Sequence, residues 1–223
     1  MGYGIRLLVW GSYACFARSD YKDRRVSYDV MTPSAARGVL ESIHWKPAIR
    51  WVVDRIDVIN EIQLERVSRI EMDPTAAVSG LREPMSGKRP LLSPMPAGEQ
   101  NLHEGLLLRD VKYVIHAHFV MTPRAGEQDH PEKHYNIFLR RARKRQCFYH
   151  PYLGAREFPA IFTLLEDHDM TPLSCYKDQP DRELGCMLWD LDFKHEMKPL
   201  YFKAIMRGGT IAVPDLLQKD AKS

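Results

Sequence analysis

The chain has 223 residues with 32 Lys and Arg against 29 Asp and Glu, a formal net charge of +3, 44% hydrophobic and 27% charged. That describes an ordinary soluble globular protein able to bury a real core, as one large domain or two small ones, and no apolar run approaches the roughly 20 residues of a membrane span. Cys15, Cys147, Cys175 and Cys186 form no Cys-x-x-Cys pair, so no structural zinc site is expected, and with no export signal they read as reduced thiols of a cytoplasmic protein.

In chain order, Ile5–Trp10 reads as a first strand. The next element is a helix over Thr32–Pro47. Thr32 suits its cap, Pro33 its first position, and Pro47 its stop. Ala36, Val39, Leu40 and Ile43 give it an apolar stripe. Ala48–Ile59 is rich in β-branched residues and reads as a buried strand. Gln63–Met72 reads as a more exposed one. Residues 74–100 carry prolines at 74, 84, 90, 94 and 96, which predicts a mobile insertion. In Leu108–Met121, Val111, Tyr113, Ile115, Ala117 and Phe119 alternate with Lys112, Val114, His116 and His118, the pattern of a strand. Tyr135, Phe138, Leu139 and Ala142 then mark a second helix, and Glu157–Glu166 a further strand. This order is the βαββαβ pattern of a ferredoxin-like or RRM-like α+β fold. Cys186–Phe193, Leu200–Met206 and Thr210–Val213 read as an antiparallel meander that turns last at Gly208-Gly209.

The second helix is the most informative segment. Lys133, Arg140, Arg141, Arg143, Lys144 and Arg145 occur without one acidic neighbour between them. An inert helix face mixes signs, because opposite charges one turn apart attract. An unmixed run favours contact with a polyanion, above all a nucleic-acid backbone. The histidines are less decisive. His134 reads as a capping or surface residue or as a functional one. His116 and His118 share a strand face; they either line a half-polar sheet or bind a metal, for which no carboxylate partner is evident. His44 closes the first helix, where the helix end favours its protonated form and its titration near neutral pH suits proton transfer. In Tyr152–Pro159, Gly154 permits a tight turn. Arg156 there either faces a phosphate or decorates a plain helix-to-strand connection.

Four stretches, "VWGSYACF", "VSYDVMTPSAARGVLESIHWKPAIRW", "KHYNIF" and "LGAREFPA", occur in this order over most of the first 160 or so residues. In them the chain resembles the fifth CRISPR-associated (Cas) family, in its type I-C branch, within the RAMP superfamily. The resemblance implies a ferredoxin-like domain over residues 1–166 with an inserted hairpin at about 62–107, then a small antiparallel β domain over 167–223. It implies an endoribonuclease that cuts precursor CRISPR RNA within its repeat, with no metal and no other cofactor. The product's 5′ handle stays bound, inside an RNA-guided complex with other subunits. The family's catalytic set is a tyrosine ending the first helix and a Lys-His pair opening the second. The pair maps onto Lys133 and His134; the tyrosine position holds His44. Lys133 would stabilise charge while His44 and His134 share the base and acid roles.

Lys46, Arg140, Arg141, Arg143, Lys144, Arg145 and Arg156 would grip a repeat hairpin. Trp45 or Tyr135 would either stack on a base or serve the core. Duplex DNA contact is a further possibility for this basic surface. The alternatives are a non-catalytic subunit that holds the handle and a metal-dependent DNase using His116 and His118. The nuclease reading expects His44, Lys133 and His134 to converge on one groove.

Overall fold

The computed structural model describes residues 3–21, 24–71, 101–192 and 196–216. The proline-rich stretch 74–100 lies outside them. The elements run β1 (Ile5–Ala14), β2 (Arg25–Val26), α1 (Pro33–Ile43), β3 (Ile49–Val58), β4 (Gln63–Glu71), β5 (Asn101–Met121), α2 (Pro131–Arg143), β6 (Ile161–Leu165), β7 (Arg182–Asp192), β8 (Lys198–Arg207) and β9 (Thr210–Ala212). This is a mixed α+β protein built on one large, mainly antiparallel sheet. Its strands lie in the order β6-β1-β5-β3-β9-β8-β7, with β2 and β4 pairing with β5 off that path. β9 pairs with β3 through Ile56 and Ile211, so the last three strands extend the same sheet. Among the described residues no helix is long and apolar enough to cross a membrane.

Local chemistry explains most boundaries. Thr32 caps α1 by accepting from the Ala35 N–H at 3.3 Å, and Pro33 enters where its missing N–H costs nothing. The helix ends at His44, whose backbone is extended, before Pro47 can act. There the Trp51 indole N–H donates to the His44 carbonyl at 2.9 Å. β5 begins at Asn101 rather than Leu108, because its first half pairs with β4 as an antiparallel ribbon, Gln63 opposite Arg109 and Val67 opposite Gly105. Asp110 marks the change of partner, with a left-handed φ of 49° and its carbonyl held by Asn60. Beyond it β5 runs between β1 and β3.

The core lies between the sheet and the two helices. Leu7 and Val9 from β1, Trp51 and Ile56 from β3, and Ile115 from β5 meet Leu40 and Ile43 of α1 and Phe138 of α2. Burial of these side chains is the main force that brings the two helix ends together. Gly154 also serves the fold. Its φ is +84°, and a Cβ there would stand 2.0 Å from the Cys15 carbonyl oxygen, so only glycine lets this loop press on the end of β1.

Candidate active site

Packing of α1 beside α2 sets two histidines, 90 residues apart in sequence, in contact. His44 Nε2 lies 3.1 Å from His134 Nδ1, and the rings stack with centroids 5.3 Å apart. His44 is 1% exposed and His134 2%. On the far side of His44, the Arg141 guanidinium donates to the Ile43 carbonyl at 2.8 Å and stands 3.5 Å from His44 Nδ1. On the far side of His134, Asp129 Oδ1 lies 3.2 Å from Nε2. That contact is off the hydrogen-bond line, so Nε2 has a carboxylate beside it without a well-formed bond. Lys133 is exposed; its Nζ sits 3.8 Å from the same Asp129 oxygen and donates to the Gln128 carbonyl at 3.0 Å.

One tautomer set satisfies all these contacts. Arg141 can only donate, so His44 Nδ1 accepts and its proton is on Nε2. His134 Nδ1 then accepts from His44, and the His134 proton sits on Nε2, facing Asp129. The result is a directed row from guanidinium through two imidazoles to a carboxylate. The Gly126 N–H, donating to Asp129 Oδ2 at 3.1 Å, fixes the end of the row and holds that carboxyl below its usual range.

The electrostatics correct one expectation. The end of α1 does not favour a protonated His44. Burial above all, then Arg141, His134 and Lys46, lower its pKa from 6.5 to about 4. The carbonyls that would have faced the ring are occupied, Ile43 by Arg141 and His44 by Trp51. Between pH 6.5 and 4 the unfolded chain therefore takes up a proton that the folded chain refuses. Stability falls across that window as pH drops, by about 3 kcal/mol in all. Urea midpoints at pH 7 and pH 4.5 check this: the His44→Gln variant should lose less on acidification than the parent.

The other predicted residues divide. Arg141 is turned inward. Arg143 forks onto Glu166 at 2.6 and 3.1 Å, so the run is not free of acidic partners once β6 is beside it. Lys46, Arg140, Lys144, Arg145 and Arg156 are exposed and make no ion pair among the described residues. Trp45 is exposed too, whereas Tyr135 packs on Tyr3 in the core margin. His116 and His118 do have carboxylate partners, contributed by β3: Asp57 at 2.7 Å and Asp54 at 2.9 Å respectively. Each histidine is thus bound to its own partner, and among the described residues no cluster is arranged to hold a metal. Sequence reasoning missed Asp129, whose signal was an acid one helical turn before Lys133. It also missed the inward role of Arg141, for which there was no local signal.

The family described as CRISPR-associated protein (Cas_Cas5) matches residues 4–214. A CRISPR pre-crRNA endoribonuclease Cas5d of Mannheimia succiniciproducens is 45% identical over 224 residues, covering all of both chains. A protein of the same name from Thermus thermophilus is 35% identical over 94% of this chain and 91% of its own length. Among solved structures, one titled as a CRISPR-associated protein aligns with a TM-score of 0.72 at 24% identity, over 96% of this chain and 93% of that one. SMU1763c from Streptococcus mutans aligns with 0.68 at 21%, over 95% and 92%. Both structural likenesses speak for the fold alone. With the match running through nearly every described element, the chain belongs to the Cas5d family of CRISPR-associated proteins.

Proposed function

We propose that this chain cuts precursor CRISPR RNA within its repeat hairpin, without a metal, and then holds the 5′ handle in a type I-C surveillance complex. The names of the two full-length relatives support the substrate. The observation that carries the mechanism is the 3.1 Å contact between His44 and His134. On this reading β6-β1-β5-β3 with α1 and α2 form a ferredoxin-like unit over residues 1–166, and residues 167–223 are its β appendage. The protein works in the cytoplasm, and any duplex DNA contact belongs to the assembled complex.

RNA carries its own nucleophile. His44, held neutral at pH 7, suits the base that takes the 2′-hydroxyl proton. The 2′-oxygen attacks phosphorus and the P–O5′ bond breaks. His134 gives its Nε2 proton, the one facing Asp129, to the departing 5′-oxygen, while its Nδ1 takes the proton that His44 passes on from Nε2. Lys133 neutralises charge on the phosphorane. The products are a 2′,3′-cyclic phosphate and a 5′-hydroxyl, and the hydrogen bond between the rings carries the proton from the base to the acid. Since both rings are buried, the RNA phosphate must take the place of the Asp129 carboxylate, one anion for another beside Lys133.

Purified protein with a repeat-hairpin RNA and excess chelator tests this. The expected result is cleavage that leaves cyclic-phosphate and 5′-hydroxyl ends. Tight binding without cutting would favour a non-catalytic handle subunit, a reading that the burial of both histidines favours. Cutting only with added magnesium would refute the metal-free mechanism.

A further inference from the structure

One residue of α1 works against the helix it sits in. Gly38 lies mid-helix, where glycine is less stable than alanine. No packing requires it, since a Cβ at Gly38 would meet no atom within 4 Å. The open space beside it belongs to a cleft of about 300 Å³, lined also by Thr32, Ala35, Tyr149, Tyr152 and Gly154. That volume is at the small end for ligand sites.

The facing wall is the loop after α2. The Phe148 N–H donates to the Ser42 carbonyl at 2.7 Å, laying this loop along α1, and the Cys15 N–H donates to Leu153 at 3.0 Å, fixing where it leaves. Between these anchors stand Phe148, 83% exposed, Tyr149, 46%, and Tyr152, 37%. No charged side chain lines the cleft. It suits a flat, neutral group better than an anion. Cations bracket the loop in sequence, with Lys144 and Arg145 before it and Arg156 after it, all exposed and outside any ion pair among the described residues.

We propose that the cleft between Gly38 of α1 and Tyr149 and Tyr152 takes an unpaired nucleobase of RNA, stacked on a tyrosine ring. Phosphates on either side of that base would meet the bracketing cations, the usual partition of a single-strand site. Gly38 to His44 is about 9 Å along the helix axis, so a base in the cleft is a short length of strand from the histidine pair. The proposal rests on the RNA-cutting reading, and it adds a site that the catalytic residues do not need for their chemistry.

The test is fluorescence anisotropy of the full chain with a labelled 12-nucleotide single-stranded RNA of mixed sequence, and with copies carrying one abasic position. Changing Tyr149 and Tyr152 together to Ala should weaken binding about tenfold, and changing both to Phe should not. Gly38→Leu should weaken binding to a similar degree by filling the cleft. Gly38→Ala should raise the thermal midpoint by about 2–4 °C, showing that the helix itself gains from the change. One abasic position should weaken binding to the parent about tenfold and leave the double Ala variant unaffected. If the double Ala and Gly38→Leu variants bind like the parent while Lys144→Ala with Arg145→Ala does not, the cleft is no base site and the RNA reading stands. If the parent itself binds no RNA, both fall.

Discussion

His134→Ala lowers the single-turnover rate of repeat-RNA cleavage by a factor on the order of 10² to 10⁴, the usual worth of a positioned acid or base. RNA binding should be nearly unchanged, because His134 is 2% exposed and the exposed cations proposed to meet the backbone are elsewhere. The loss should appear in the rate at saturating protein rather than in the concentration needed to saturate. The variant also strips His44 Nε2 of its acceptor, so His44→Ala should fall into the same range. If either variant kept a rate within about tenfold of the parent, the pair would not be the proton-transfer machinery.

Trp51→Ala should cost about 3–5 kcal/mol, as large-to-small changes of buried aromatics do. Trp51 is fully buried, with its ring 4.8 Å from Phe138 of α2 and 5.5 Å from Phe119 of β5. Its indole N–H also holds the His44 carbonyl. One side chain thus fills the core under both helices and fixes the end of α1. At about 2–4 °C per kcal/mol for a chain of this size, the thermal midpoint should fall by roughly 6–20 °C. Cleavage should be lost even at temperatures where circular dichroism reports a folded chain. Trp51→Phe retains most of the packing and removes the donor; its smaller cost of about 1–3 kcal/mol would isolate the hydrogen bond. Equal, small losses for both variants would mean that Trp51 does not organise the site.

Local signals made the elements legible and non-local ones decided the rest. Thr32, Pro33 and the stripe from Ala36 to Ile43 announce α1, and the alternation from Val111 to Phe119 announces the second half of β5. The first half of β5 carried no such pattern, since it is held by pairing with β4. The histidine pair could not be read from spacing. Its members came from likeness to a family, and their contact depends on how α1 packs beside α2. Reasoning from the helix dipole gave the wrong sign for His44, because burial and Arg141 outweigh a helix end whose carbonyls are already occupied. Arg143 looked unpartnered because Glu166 is brought to it only when β6 joins the sheet. For His116 and His118 the partners were within reach of reasoning: pairing β3 with β5 sets Asp54 and Asp57 near them.

The most direct test of the histidine mechanism uses RNA whose scissile 5′-oxygen is replaced by sulfur. A thiolate leaves without needing a proton, so the general acid becomes dispensable. His134→Ala should cut this RNA at nearly the parent rate, while His44→Ala stays slow because the 2′-hydroxyl still requires a base. A His134→Ala variant as slow on the sulfur RNA as on the ordinary one would contradict the role given to His134.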